Sequence, residues 1–179
     1  PELDPERSWF FEYSLHYKNS WLKGNAAAYI NLLNDLISEK QVSPTEYRLQ
    51  NIDSARLWGV EYDISLKIFR ILELYNNFSY TRGRDTKNDE DLPAIAPLRL
   101  VTGFLINKGY WISGFVDGTW IAAQKRVPDG IDESDDWFRI DAGFDIKYTT
   151  GGFHHKINLT CTNLLDKKYY DYMSMSKSG

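Results

Sequence analysis

Cysteine occurs once in 179 residues, at Cys161, so the chain holds no internal disulfide framework and no multi-cysteine zinc site. Charge of neither sign dominates. Lys and Arg number 21 against 25 Asp and Glu, a formal net charge of −4, and no five like charges run together. That balance excludes a strongly basic nucleic-acid binder and an ionic tail. No run of 18 apolar residues occurs, and the mean hydropathy of −0.48 agrees, so a transmembrane helix is excluded. A membrane β-barrel is not, because polar lumen residues dilute the average. The chain starts at Pro1 with no Met and no apolar leader, and it ends in a polar stretch from Tyr172 to Gly179. Both ends are expected to be cuts in a longer protein.

Aromatic residues are plentiful instead. Six Trp, twelve Tyr and nine Phe make 15% of a hydrophilic chain. Their spacing is informative. From Trp137 to Tyr148 the residues Phe138, Ile140, Ala142, Phe144, Ile146 and Tyr148 alternate with Arg139, Asp141, Gly143, Asp145 and Lys147. Strict period two means a strand with one apolar and one wet face. Ile157, Leu159 and Cys161 continue the pattern after a Thr149–Gly152 hairpin turn. Six earlier segments behave alike: 8–18, 21–33, 56–66, 72–81, 98–107 and 111–123. In the last of these both sides look apolar and only Asp117 marks a wet side, so its facing stays open.

Connections at 18–20, 67–71, 108–109 and 149–152 are short, whereas those at 34–50, 82–97 and 124–136 are long and polar. Short and long alternate, as they do in an outer-membrane barrel and need not in a soluble sandwich. Aromatics gather near segment ends: Tyr17, Tyr110, Trp111 and Tyr148 by short turns, Trp9, Trp58, Tyr80, Trp120 and Trp137 nearer long loops. Two interfacial girdles would place them so. The expected fold is all-β: about eight meandering antiparallel strands forming an up-and-down segment of a transmembrane β-barrel.

Four stretches carry a resemblance. Residues 1–9, PELDPERSW, resemble the NP-x-L-x-PE-x-S signature of TonB-dependent outer-membrane receptors. Residues 51–61, NIDSARLWGVE, resemble their N-x-x-x-A-x-x-x-GVE strand, and NFSYTR at 77–82 with LPAIAP at 92–97 resembles their NYSYT…L-P-x-I-P hairpin and loop. NLTCTNLLDKKYY at 158–170 is similar to their V-x-NLFDK-x-YY penultimate strand. The resemblance implies a plugged barrel of about 22 strands, of which residues 1–179 would supply roughly strands 14 to 21. The plug domain, its TonB box and the last strand would lie outside this chain. Also implied are location in the bacterial outer membrane and TonB-energised import of a scarce nutrient, above all a ferric siderophore, with haem or cobalamin as alternatives. The partners would be that ligand, the TonB complex through the plug, and outer-membrane lipid and lipopolysaccharide. A passive porin-like barrel and a soluble β-sandwich binding module remain the competing readings.

No enzyme emerges, and no cofactor is expected. Cys161 is on the apolar side, and His16, His154 and His155 form no triad or metal set. His154 and His155 read as a solvated turn pair. Asp85–Asp91 is rich in oxygen ligands but lacks EF-hand spacing, and a solvated loop is its plainer reading. Arg82 and Arg84, then Lys125 and Arg126, open two long loops and suit carboxylate, catecholate or phosphate groups on a ligand or on lipopolysaccharide. Tyr47, Arg48, Trp120 and Trp137 could stack on or bind an aromatic siderophore; girdle or packing duty is the alternative. Tyr47, Arg48, Arg82, Arg84, Lys125, Arg126 and Trp137 are the candidate substrate-binding residues.

Overall fold

The structure is a computed structural model that describes residues 3–43, 46–109, 111–173 and 177–178. Eight strands follow one another in a single antiparallel meander. They are β1 (Arg7–Lys18), β2 (Leu22–Ser43), β3 (Glu46–Phe69), β4 (Leu72–Asp85), β5 (Arg99–Lys108), β6 (Ile112–Ile121), β7 (Trp137–Thr150) and β8 (Phe153–Cys161). A small second sheet pairs β9 (Tyr169–Tyr170) with β10 (Lys177–Ser178).

Register settles the facing of the eight meander strands. Trp9 lies opposite Leu32, Ile30 opposite Trp58, Tyr62 opposite Phe78, Phe104 opposite Val116, and Phe144 opposite Leu159. Because side chains alternate, these rows place all the apolar sets on one side of the sheet. Strand β6 joins them through its even positions: Gly118 opposes Ile140 and Trp120 opposes Phe138. Asp117 therefore faces the polar side, opposite Asp141.

Among the described residues no second layer covers the apolar face. Phe104, Phe138 and Phe144 keep 41%, 43% and 40% of their surface exposed, which a sandwich core would not allow. The few buried apolar residues sit elsewhere. Ala55, Val101, Ile121 and Trp137 project from the polar face, and Leu92 comes down from a loop. Residues 83–85 pair with 90–92, and the loop then folds back so that Leu92 and Ile95 lie against Gly83, where a Cβ would meet Ile95 Cδ1 at 2.6 Å. Gln124 pins this loop to the next: its Nε2 donates to the Ile95 carbonyl at 2.7 Å, and its backbone bonds Ser134 in both directions.

Two expectations are corrected here. The segment 34–50 is not a loop; the β2–β3 ladder runs on through Leu36–Ile52 and Ile37–Asn51 to Ser43–Glu46. It loses period two after Asp35, which takes a left-handed φ of 57°. A hairpin standing beyond the apolar face has no greasy medium on either side, so nothing imposes alternation. Trp137 does not belong to a girdle. It lies one residue before Phe138 and so points to the polar side, where it is buried. Tyr110 lies outside the described residues.

Candidate functional site

The polar face is a wall of hydrogen-bonded side chains. Near the short turns His16 Nδ1 lies 2.7 Å from Asn25 Oδ1, and Asn25 Nδ2 donates to both oxygens of Asp63. A shallow trough of about 500 Å³ follows, lined by Glu12, His16, Asn25, Asp63, Asn77 and Arg99. Further along the sheet Tyr75 Oη donates to Asp117 Oδ2 at 2.7 Å. Beside it Arg139 Nη2 sits 2.8 Å from Asp141 Oδ2 and Nη1 donates to Tyr169 Oη at 3.1 Å.

The chain end after β8 explains that last contact. Asn163 and Asp166 adopt left-handed φ values of 55° and 47°. The Asn163 side chain accepts from Lys167 N at 3.0 Å and donates to the Lys167 carbonyl at 3.1 Å, while its own N–H donates to Asp141 at 2.8 Å. Asn tolerates this conformation because its amide bonds the local backbone. The turn carries Tyr169 back over the sheet, where its ring stacks on Trp137 at 4.2 Å. The NLLDKKYY stretch is thus a device for closing an aromatic–guanidinium cluster on the polar face.

The candidate residues divide into separate groups. Trp137 joins the Arg139–Asp141–Tyr169 cluster, with its Nε1 buried and unpartnered among the described residues. Arg82 and Arg84 take the apolar-face register, past the aromatic pair Trp58 and Tyr80, whose rings meet edge-on at 5.5 Å. Arg126 folds onto the same Tyr80, donating to its Oη at 2.7 Å. Lys125 pairs with Glu133 at 3.0 Å and Asp135 at 3.5 Å, and the Glu133 contact raises its ammonium pKa. Arg48 is exposed on the protruding hairpin. The side chain of Tyr47 lies outside the described residues.

Tyr75, Asp117, Arg139 and Tyr169 were not among the candidate site residues. The signal was present for two of them. Arg139 follows Trp137 by two positions on the wet side, and Asp117 is the lone charge of its strand. Among the histidines, His155 stacks on Tyr148 at 4.5 Å and His154 bonds Thr149, so the turn pair is half girdle and half solvated.

The acidic loop holds itself together. Asp85 accepts from Lys87 N at 2.8 Å and from Asn88 N and Nδ2 at 3.0 and 2.8 Å. Burial pushes its carboxyl up, but these donors outweigh that and hold it below the usual aspartate range. Among the described residues no cluster of potential metal ligands forms. Asp85→Ala should cost this turn about 2 kcal/mol, roughly 30-fold in local opening. Brief trypsin treatment of cells displaying the full-length protein should then cut after Lys87 at least about tenfold faster. An unchanged rate would mean that Leu92 and Ile95 alone anchor the loop.

A protein-family model described as TonB dependent receptor-like, beta-barrel, matches residues 1–164. The chain belongs to the TonB-dependent receptor family. Among curated relatives, Heme/hemopexin utilization protein C of Haemophilus influenzae strain 86-028NP is 31% identical over 147 residues, covering 72% of this chain and 20% of that protein. A second Haemophilus influenzae protein of that name is 35% identical over 88 residues, covering 48% of this chain and 12% of its own length. The chain thus spans a fifth or less of these relatives. Among solved structures, the copper transporter OprC superposes with a TM-score of 0.90 at 20% identity, over 99% of this chain and 28% of that one. A ferric enterobactin receptor of Pseudomonas aeruginosa, PfeA, gives 0.73 at 18% identity, over 91% and 26%. At such identities these two likenesses show the fold, and the eight-strand meander is that of a TonB-dependent barrel.

Proposed function

We propose that this chain is part of the barrel wall of an outer-membrane receptor that takes up an iron-bearing nutrient with energy passed through TonB. The observation that carries the reading is the asymmetry of the sheet. An uncovered apolar face suits acyl chains, and a polar face roofed by inward-folded loops suits a filled lumen. In this reading the Trp137–Tyr169–Arg139 cluster stiffens the lumen wall under the loops, and Arg48 lies exposed on the protruding hairpin. Haem is the preferred cargo, because the relatives above 30% identity are named for haem utilisation. A ferric siderophore, the first expectation from the family resemblance, is the second reading. Its structural support lies below 20% identity and carries fold rather than ligand.

The test is growth of iron-starved cells that lack their own receptors and express the full-length protein, supplied with haem, a ferric catecholate or ferric citrate. Growth on haem is expected, and it should vanish when tonB is deleted. Growth on the catecholate alone would move the cargo to the second reading. Growth that survives loss of tonB would overturn energised uptake in favour of a passive pore.

A further inference from the structure

We propose that Arg56, Arg82, Arg84 and Arg126 form a binding site, on the outside of the barrel, for the phosphate groups of lipid A in the surrounding leaflet. The inference rests on the apolar face being the membrane-facing one, as in the proposed function. Register places three of these arginines on that face: Arg84 lies directly opposite Arg56, and Arg82 opposite Trp58. Arg126 reaches the same surface from its loop and lies over the Tyr80 ring, 5.2 Å from its centroid.

Depth agrees with a headgroup. Arg82 and Arg84 follow Tyr80 by one and two alternations, about 7 and 14 Å along the strand. At a strand tilt of ~45° that is roughly 5 and 10 Å beyond the aromatic ring along the membrane normal, where the polar headgroups begin.

Charge agrees as well. Arg84 pairs with Asp89 at 2.9 Å and Arg82 with Asp91 at 3.6 Å. Among the described residues Arg126 is partnered by the Tyr80 hydroxyl and ring and by the Gln124 side chain at its backbone N–H. Arg56 is exposed and has no partner among the described residues. Four guanidinium groups therefore meet two carboxylates. Arg84 has Asp89, but Arg56 directly across the strand pair from it has no anion among the described residues, and like charges so placed repel each other. A phosphomonoester supplies the missing charge in a geometry that a guanidinium fork grips with two hydrogen bonds. A neutral headgroup would leave the Arg56–Arg84 repulsion unrelieved.

The experiment is native mass spectrometry of the full-length receptor titrated with bisphosphorylated lipid A and with the same lipid dephosphorylated. The wild type should retain the bisphosphorylated form at least tenfold more tightly. In Arg56→Ala/Arg84→Ala that preference should fall below threefold, while Lys156→Ala, at the opposite end on the polar face, should keep it. If the alanine pair does not assemble, Arg56→Lys/Arg84→Lys decides, because it keeps the charge and loses the fork. A severalfold loss in that variant supports the site. Phosphate-blind binding by the wild type, or full preference in the variant that decides, overturns it. Detergent-belt mass separates the two levels of the argument. A protein with no belt would refute the membrane-facing reading itself, whereas a normal belt with phosphate-blind lipid binding would refute only the arginine site.

Discussion

Gly103→Val should reduce the assembled, heat-modifiable receptor in outer membranes to less than about a tenth of the wild-type amount. Gly103 sits on the polar face of β5, beneath a ring. A Cβ there would lie 2.5 Å from Asp117 Cβ and 2.6 Å from Tyr75 Cζ. No rotamer of valine avoids both, so the Tyr75 ring must leave. Its hydroxyl then abandons Asp117, which lies opposite Asp141 and would be left as one of two facing carboxylates. Overpacking costs about 1–3 kcal/mol and loss of a hydrogen bond to a carboxylate about 1.5–3. The sum is a large fraction of the usual margin of stability. Gly24→Ala is the control, since a Cβ there meets its neighbours at 3.5 Å, an ordinary contact, and assembly should be normal.

The same arrangement recurs along the sheet. A Cβ on Gly59 would meet the Tyr29 ring at 2.5 Å, one on Gly143 the Phe115 ring at 2.6 Å, and one on Gly118 the Phe138 ring at 2.7 Å. Each glycine lets an aromatic side chain of the neighbouring strand lie flat over its backbone, a known way to cover a glycine and hold register. In the sequence these glycines look like gaps in the alternation. They are half of a cross-strand pair whose other half is about 20 to 30 residues away, and one-dimensional periodicity cannot reveal it.

That contrast describes what was legible in general. Alternation fixed the fold class and the facing of seven strands, because hydrocarbon and lumen impose opposite polarities residue by residue. It left β6 open, since Phe115 and Ile121 are apolar residues on the polar side, Phe115 lying over Gly143 of the next strand and Ile121 buried at the end of its own. The β2–β3 hairpin beyond the apolar face escaped for the complementary reason: where both sides are wet, the code has nothing to report. Arg82, Arg84 and Arg126 were legible as a chemistry but not as a place. Their parity relative to Tyr80 was countable in advance; that Arg126 doubles back onto Tyr80 was not.

Phe144→Arg and Thr160→Arg test the two-sided code directly, one on each face of adjoining strands. Phe144 lies midway along β7, facing outward between Gly114 and Leu159. Thr160 lies on β8 opposite Gly143, on the polar side. An arginine at the bilayer midplane of a barrel costs about 2–4 kcal/mol, falling to roughly 0–1 near the interface. Phe144→Arg should therefore lower the denaturant midpoint of the full-length receptor in lipid vesicles and cut its assembled fraction severalfold. Thr160→Arg should change either by little, because the lumen can hydrate a guanidinium. Tyr148→Arg, on the same face as Phe144 but at the girdle end, should fall between them. The ordering matters more than any single value. A packed soluble core would penalise a buried arginine without regard to its position along the strand, whereas a membrane grades the penalty with depth. Equal losses at Phe144 and Tyr148, or a larger loss at Thr160, would mean that hydrocarbon does not bathe this face.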